Sequence, residues 1–220
     1  MTIAESRRAV LHRRIRLIVA ATIGYNVIEA VVAITAGSFA SSVALIGFGL
    51  DSTIEVLSAA AVAWQFTRRD PERWERGTLR VISVAFFALA AYVTVSSLLA
   101  LAGAVQPTHS TVGLILTAVS VAVMPLLSLA ERRAGRELGS ATAVADSKQT
   151  LICAFLSAAV LIGLLLNSLF GWWWADPIAG LVIVVFAVRE GIEAWSGDAC
   201  ATSVGMILEN SEAGDGGHHG

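Results

Sequence analysis

Two carboxylates, Asp51 and Glu55, stand four residues apart inside the run GFGLDSTIEVLSA (Gly47 to Ala59), which is otherwise apolar or small. Residues at i and i+4 share one face of a helix, so both acids would point the same way. A charged side chain at the centre of a membrane helix costs about 2.5–3.5 kcal/mol on insertion scales, and intramembrane acids typically line an ion or proton path. Hydrogen bonding to neighbouring helices is the purely structural alternative. A second set lies in ADSKQTLICAFLSA, where Gln149 and Cys153 are again four apart. Two carboxylates, an amide and a thiolate make four donors, a number that suits tetrahedral Zn²⁺ or a similar divalent ion. The sulfur pulls toward Zn²⁺ or Cd²⁺, whereas oxygen donors alone favour Mg²⁺, Ca²⁺ or Mn²⁺. Cys153 also fits as a small buried hydrophobe, and Gln149 as an interhelical hydrogen-bonder. Asn26 and Glu29, three apart, form a further polar face. Glu29 would join the site, relay protons or pair with another helix. Asp146 stands beside Lys148 and is read as part of a local ion pair or as an additional site residue.

The elements that must carry these residues are membrane helices. The chain of 220 residues has 56% hydrophobic and 15% charged residues and a mean hydropathy of +0.73. Soluble domains usually carry about a quarter charged residues. Apolar runs of about 20 residues can span a ~30 Å hydrocarbon core as helices, and there are six of them: 17–36, 42–66, 81–105, 112–130, 141–170 and 173–195. The fold class is therefore all-α, a polytopic membrane protein with six transmembrane helices. Arg189 interrupts the sixth near its end and is expected to snorkel to the interface. Asp176-Pro177 reads as that helix's own capping side chain and first-turn proline. Pro125 is expected to kink the fourth. Gly47 and Gly49 would admit a neighbouring helix closely.

Arginine distribution sets the orientation. Arg7, Arg8, Arg13, Arg14 and Arg16 precede the first span. Arg68, Arg69, Arg73, Arg76 and Arg80 lie between the second and third, and Arg132, Arg133 and Arg136 between the fourth and fifth. The other three connections have no Lys or Arg. Basic loops stay cytoplasmic, so both termini are expected there. Residues 1–16 read as a basic cytoplasmic segment, 17–195 as the membrane domain and 196–220 as a short disordered cytoplasmic tail. Trp172, Trp173 and Trp174 fit an outer interfacial belt. In the tail His218 and His219 are a second candidate metal-catching pair. Cys200, also in the tail, is not expected to meet Cys153 in a disulfide.

Depth gives a first pairing. At 1.5 Å per residue Asp51 lies ~14 Å and Glu55 ~20 Å from the outer face, and Gln149 ~12 Å and Cys153 ~18 Å from the inner face. Across a ~30 Å core this sets Asp51 level with Cys153 and Glu55 level with Gln149.

Together these motifs resemble the cation diffusion facilitators, carriers that export divalent metals in exchange for protons. That family has D-x-x-x-D or H-x-x-x-D in its second helix, where this chain has Asp51-Ser52-Thr53-Ile54-Glu55. It has A-D-x-x-H-x-x-x-D in its fifth, matched by Ala145-Asp146-Ser147-Lys148-Gln149-Thr150-Leu151-Ile152-Cys153, so that Gln149 and Cys153 replace the family's His and Asp. WWADPIAGLVIVVFAVREGIEAW resembles the sixth-helix opening, and Asn26 with AGSFASSVALIGFGLDS fits the first two helices. The likeness runs from about Asn26 to Glu193. It implies a transport bundle of helices 1, 2, 4 and 5 with 3 and 6 outside it, a metal site at Asp51, Glu55, Gln149 and Cys153, and a homodimer in a cell membrane, read as the bacterial plasma membrane. The family's cytoplasmic metal-binding domain has no counterpart after Trp195, so a dimer would form through the membrane part.

The function expected is export of a divalent cation in exchange for protons. Zn²⁺ leads, with Cd²⁺, Fe²⁺, Co²⁺ and Mn²⁺ as other candidates. Ligands must be deprotonated to bind metal, and carboxylates left in an apolar setting take up protons when it departs. Two alternatives are a family member that binds metal as a sensor or partner subunit, and a proton-coupled carrier of another solute. No GxSxG, HExxH or Gly-rich phosphate loop is present, so no enzyme is expected. The partners expected are the lipid bilayer and the metal ion, with no nucleic acid.

Overall fold

The computed structural model describes residues 3–66, 71–138 and 141–196, with the side chains of 1–16, 62–75, 135, 138 and 141–146 left undescribed. The tail with Cys200, His218 and His219, the side chain of Asp146 and those of the arginines before Leu17 and between Phe66 and Arg76 lie outside the described residues. Among the described residues six helices follow one another: α1 Ile3–Ala40, α2 Val43–Phe66, α3 Pro71–Leu101, α4 Thr111–Leu138, α5 Ala141–Phe170 and α6 Ala175–Ser196. Among the described residues there is no strand.

Among the described residues five helices are long and apolar enough to cross a membrane, over Leu17–Ala40, Val43–Ala61, Arg76–Leu101, Thr111–Ala134 and Ser147–Phe170. The helices outrun the apolar runs at the Arg-rich ends, where Arg, Glu and Leu are good helix formers; α1 begins inside the basic segment and α4 runs through Pro125 to Leu138. The sixth helix falls short on composition, because Arg189, Glu190 and Glu193 crowd its last turns. Its contacts still carry it from one end of the bundle to the other. At the start, Asp176 meets Ser42 and Val43 at the head of α2. At the finish, Trp195 lies under the Arg80 guanidinium of α3, 5.9 Å from carbon to ring centroid. With 22 residues at 1.5 Å each, α6 is about 33 Å long.

The ends sort cleanly. Thr108 N–H donates to Ala40 O at 2.8 Å and Asn167 Nδ2 to Pro107 O at 3.1 Å, which ties the α1–α2 turn, the α3–α4 loop and the end of α5 together. At the opposite end the start of α3 meets the end of α6, and exposed Arg76, Arg80, Arg132, Arg133 and Arg136 all lie on that side. Trp172 stacks on Trp174 with centroids 5.2 Å apart, both partly exposed, at the α5–α6 turn; this fits the belt read from the sequence.

Alpha1, α2, α5 and α4 close a ring, each touching the next, while α3 and α6 pair with each other and lean on α2 and α5. The α1–α2 turn makes this possible. Ser41 adopts φ 53°, and its N–H and that of Ser42 return to Ser38 O and Gly37 O at 3.4 and 3.0 Å, the pattern of a Schellman cap. The chain reverses in two residues, so α2 runs back along α1. Close approach follows from glycine: a Cβ at Gly49 would come within 2.8 Å of Ile34 and 2.9 Å of Ala33 on α1, and one at Gly47 within 3.0 Å of Val93 on α3. Phe48, Leu45, Leu156, Val160, Leu164 and Ile183 form the apolar core between α2, α5 and α6 toward the turn end.

The expectation that Asp176 caps its own helix is corrected. Its carboxylate accepts from Ser42 Oγ at 2.5 Å, Val43 N at 2.9 Å and Ala44 N at 3.4 Å, so it caps α2 from a neighbouring helix. The first N–H groups of α2 have no partner within their helix, and the tight α1–α2 turn presents them to the start of α6.

Candidate intramembrane metal site

Glu55 on α2 is the centre of what the bundle assembles. Its Oε1 accepts from Cys153 Sγ–H at 2.7 Å and from Gln149 Nε2 at 3.4 Å, both on α5; its Oε2 accepts from Asn26 Nδ2 on α1 at 2.7 Å. The i, i+4 spacing on α5 places Gln149 and Cys153 on one face, where both meet the one carboxylate of Glu55. Three of the four expected ligands therefore meet, and Asn26 joins them.

Asp51 is one turn away, buried to 7% exposure. It receives no hydrogen bond from a described residue. The acids close enough for their charge to act on it are Glu55, Glu29 and Glu190 of α6. The depth estimate set Cys153 level with Asp51, whereas in the bundle Cys153 bonds Glu55. Four residues of helix are only about 6 Å, and helices that cross instead of running parallel shift by that much. Among the described residues no three His, Cys, Asp or Glu side chains come near enough together to hold a metal ion. The convergent donors are one acid, one thiol and two amides.

Glu29, 1% exposed, lies on the α1 face toward α2 and α4, held by hydroxyls. Ser52 Oγ donates to Oε2 at 2.8 Å and Ser120 Oγ donates to Oε1, while Ser120 shares a 2.7 Å hydrogen bond with Tyr25 OH. This ties α1 to α2 and α4 one turn from Asn26. Another buried acid escaped the sequence reading. Glu131 on α4, also 1% exposed, accepts from Thr22 Oγ1 of α1 at 3.1 Å and Thr150 Oγ1 of α5 at 2.9 Å. It precedes Arg132-Arg133, which disguised it as part of a solvated charge run; the signal available was the apolar spacing of α4, which puts Met124, Ser128 and Glu131 on one inward face.

Two donors and one acceptor define an asparagine amide. Asn26 is 6% exposed, and among the described residues its Oδ1 has no hydrogen-bond partner. An unmade buried acceptor costs about 1–3 kcal/mol.

A ring of apolar helices around a buried set of oxygen and sulfur donors is the architecture of a polytopic membrane protein with a polar interior. Residues 18–195 match the cation efflux transmembrane domain, and the chain belongs to that family, as its motifs predict. One relative, the cation-efflux pump FieF of Shewanella oneidensis, is 31% identical over 85 residues, which are 39% of this chain and 28% of the relative. The matched stretch thus spans under a third of that protein's length.

Proposed function

We propose that this protein is a multi-pass carrier of the cell membrane, read as a bacterial plasma membrane, that exports a divalent metal cation of the Zn²⁺ type in exchange for protons, with Asp51, Glu55, Gln149 and Cys153 as the metal-handling residues. The observation that carries the reading is the meeting of Glu55 with Gln149 and Cys153 inside an apolar ring of helices, at the two positions where the family motif in α5 has its ligands. Family membership and the pump named as a relative support it. Burial supplies the chemistry: a carboxylate and a thiol in a dry bundle either coordinate a cation or hold protons, because an unpaired charge there is costly. Metal binding therefore displaces protons, and a site that alternates between the two couples their fluxes. Asp146 stays a candidate for an additional site or proton-relay residue on this reading. A homodimer through the membrane part is the assembly proposed.

A second reading, metal binding without transport as a sensor or partner subunit, draws on one observation: the described acids and Cys153 do not form a group of three at ligand distance.

Vesicles reconstituted with the protein and loaded with a Zn²⁺-sensitive and a pH-sensitive dye test both. Metal uptake should drive counterflow of protons. Asp51→Asn and Glu55→Gln should abolish both signals while the folded protein is retained, since neutralising a buried acid lowers an insertion cost. Full flux in folded Asp51→Asn would remove that residue from the site. Tight binding with no flux in wild type would select the second reading.

A further inference from the structure

We propose that Asn26 is a direct cation ligand, offering its side-chain carbonyl oxygen from α1 to the ion held by Glu55, Gln149 and Cys153; the inference rests on the metal-handling reading of that cluster. Three observations carry it. First, Asn26 is buried and its Oδ1 has no partner among the described residues, whereas its Nδ2 is fixed on Glu55 Oε2 at 2.7 Å. Turning the amide over would set its oxygen that same short distance from a carboxylate oxygen, a repulsive contact, so Glu55 dictates which end of the amide is left free. Second, the side-chain donors that meet here are directed at the Glu55 carboxylate and not at this oxygen. Glu55 already receives Asn26, Gln149 and Cys153. A cation satisfies a leftover carbonyl oxygen beside a carboxylate; Asn and Gln carbonyl oxygens are known ligands of a divalent ion, Ca²⁺. Third, acids and thiols alone do not complete a site among the described residues. The amides of Asn26 and Gln149 add two donors and no charge. The set then has four donors from three helices, as tetrahedral ions require, and its two anionic members, the Glu55 carboxylate and the Cys153 thiolate, balance a doubly charged ion.

Glu29 explains how Asn26 is placed. Its carboxylate is occupied by Ser52 and Ser120, which locks α1 against α2 and α4 a single turn from Asn26. Glu29 is therefore the positioning residue and Asn26 the ligand. The consequence is that α1 takes part in every binding event, and release of the ion must part α1 from α2 and α5.

The test uses the full chain in detergent with Zn²⁺ as probe, read by calorimetry and by X-ray absorption at the zinc edge. Asn26→Ala should weaken binding at least about tenfold, the scale on which even groups supporting a ligand act, and should remove one oxygen or nitrogen neighbour from the metal. Asn26→Asp separates the roles. It returns an oxygen, so a ligand position should regain affinity to within a few-fold of wild type or better. A residue that only donated to Glu55 would instead repel it as aspartate, and binding would fall as far as in Asn26→Ala, which overturns the proposal. Unchanged Zn²⁺ affinity and neighbour count in Asn26→Ala overturn it as well. If affinity is lost in Glu55→Gln but kept in Asn26→Ala, only the assignment of Asn26 fails. If wild type binds no Zn²⁺, the metal-handling reading fails and this assignment with it.

Discussion

At the scale of single residues the telling comparison is between Asp51 and Cys153. Cys153 is 5% exposed and touches Met124 and Ala154, as a structural cysteine would, yet its thiol is spent on Glu55. A packing role needs no such partner. A thiolate next to a carboxylate favours Zn²⁺ and Cd²⁺ over Mn²⁺. A Cd²⁺ titration of wild type should therefore raise a thiolate-to-metal charge-transfer band that Cys153→Ala lacks, and Cys153→Asp should shift preference toward Mn²⁺. Tight Cd²⁺ binding without the band would return Cys153 to the core. Because the thiol must lose its proton to the metal, Cd²⁺ affinity should drop as the medium is acidified, more steeply in wild type than in Cys153→Ala. The amide at 149 was legible as a position, since the motif spacing on α5 marks it. The amide at 26 was legible only as polar, because nothing in one helix's sequence says which partner it meets.

At the scale of elements, the cap between α6 and α2 decides where the site residues stand. Asp176 is fully buried and satisfies Ser42 Oγ and two N–H groups at the head of α2. Hydrogen bonds to a charged group contribute roughly 1.5–3 kcal/mol. Asp176→Ala should therefore lower stability by about that amount, read as a fall in melting temperature in detergent, and Asp176→Asn by less, because the amide still accepts one bond. Since α2 carries both Asp51 and Glu55, the Ala variant should also weaken metal binding without touching any ligand. An unchanged melting temperature would mean that water or another group replaces the cap. The sequence announced a helix start at Asp176 correctly but assigned the cap to the wrong helix. Capping preference is a local rule, and the Schellman turn at Ser41, with a serine where glycine is usual, brought a different helix's N–H groups within reach.

At the scale of the molecule, the basic residues collect at one end. Arg76 and Arg80 at the start of α3 and Arg132, Arg133 and Arg136 at the end of α4 lie on the side where Trp195 closes α6. Such a surface is retained on the cytoplasmic side. A reporter fused after Gly220 should behave as cytoplasmic, and one inserted at Gly171 as external. The same side for both would mean that α6 does not cross, and the reverse result would mean that the bundle sits inverted in the membrane. The interlocked pair α3 and α6, with Ser83 Oγ on Gly191 O at 2.6 Å, makes the crossing of α6 a property of its partner as much as of its own hydropathy.

What the sequence determined by itself is what depends on local pattern: apolar runs long enough to span, arginines on alternate connections, acids and their i, i+4 companions on single helix faces, and the motif order that places the chain in its family. Each of these needs only the period of a helix and the cost of charge in lipid. The tertiary structure decided which faces meet. It brought Cys153 to Glu55 and left Asp51 a turn away, drew Asn26 into the cluster, enclosed Glu29 and Glu131 in hydroxyls, and lent Asp176 to α2. Those outcomes depend on how the helices pack against one another, with α2 brought close to α1 at Gly49 and to α3 at Gly47, and a shift of one turn, about 5.4 Å, exchanges one ligand for another. No rule that reads one helix at a time contains that distance.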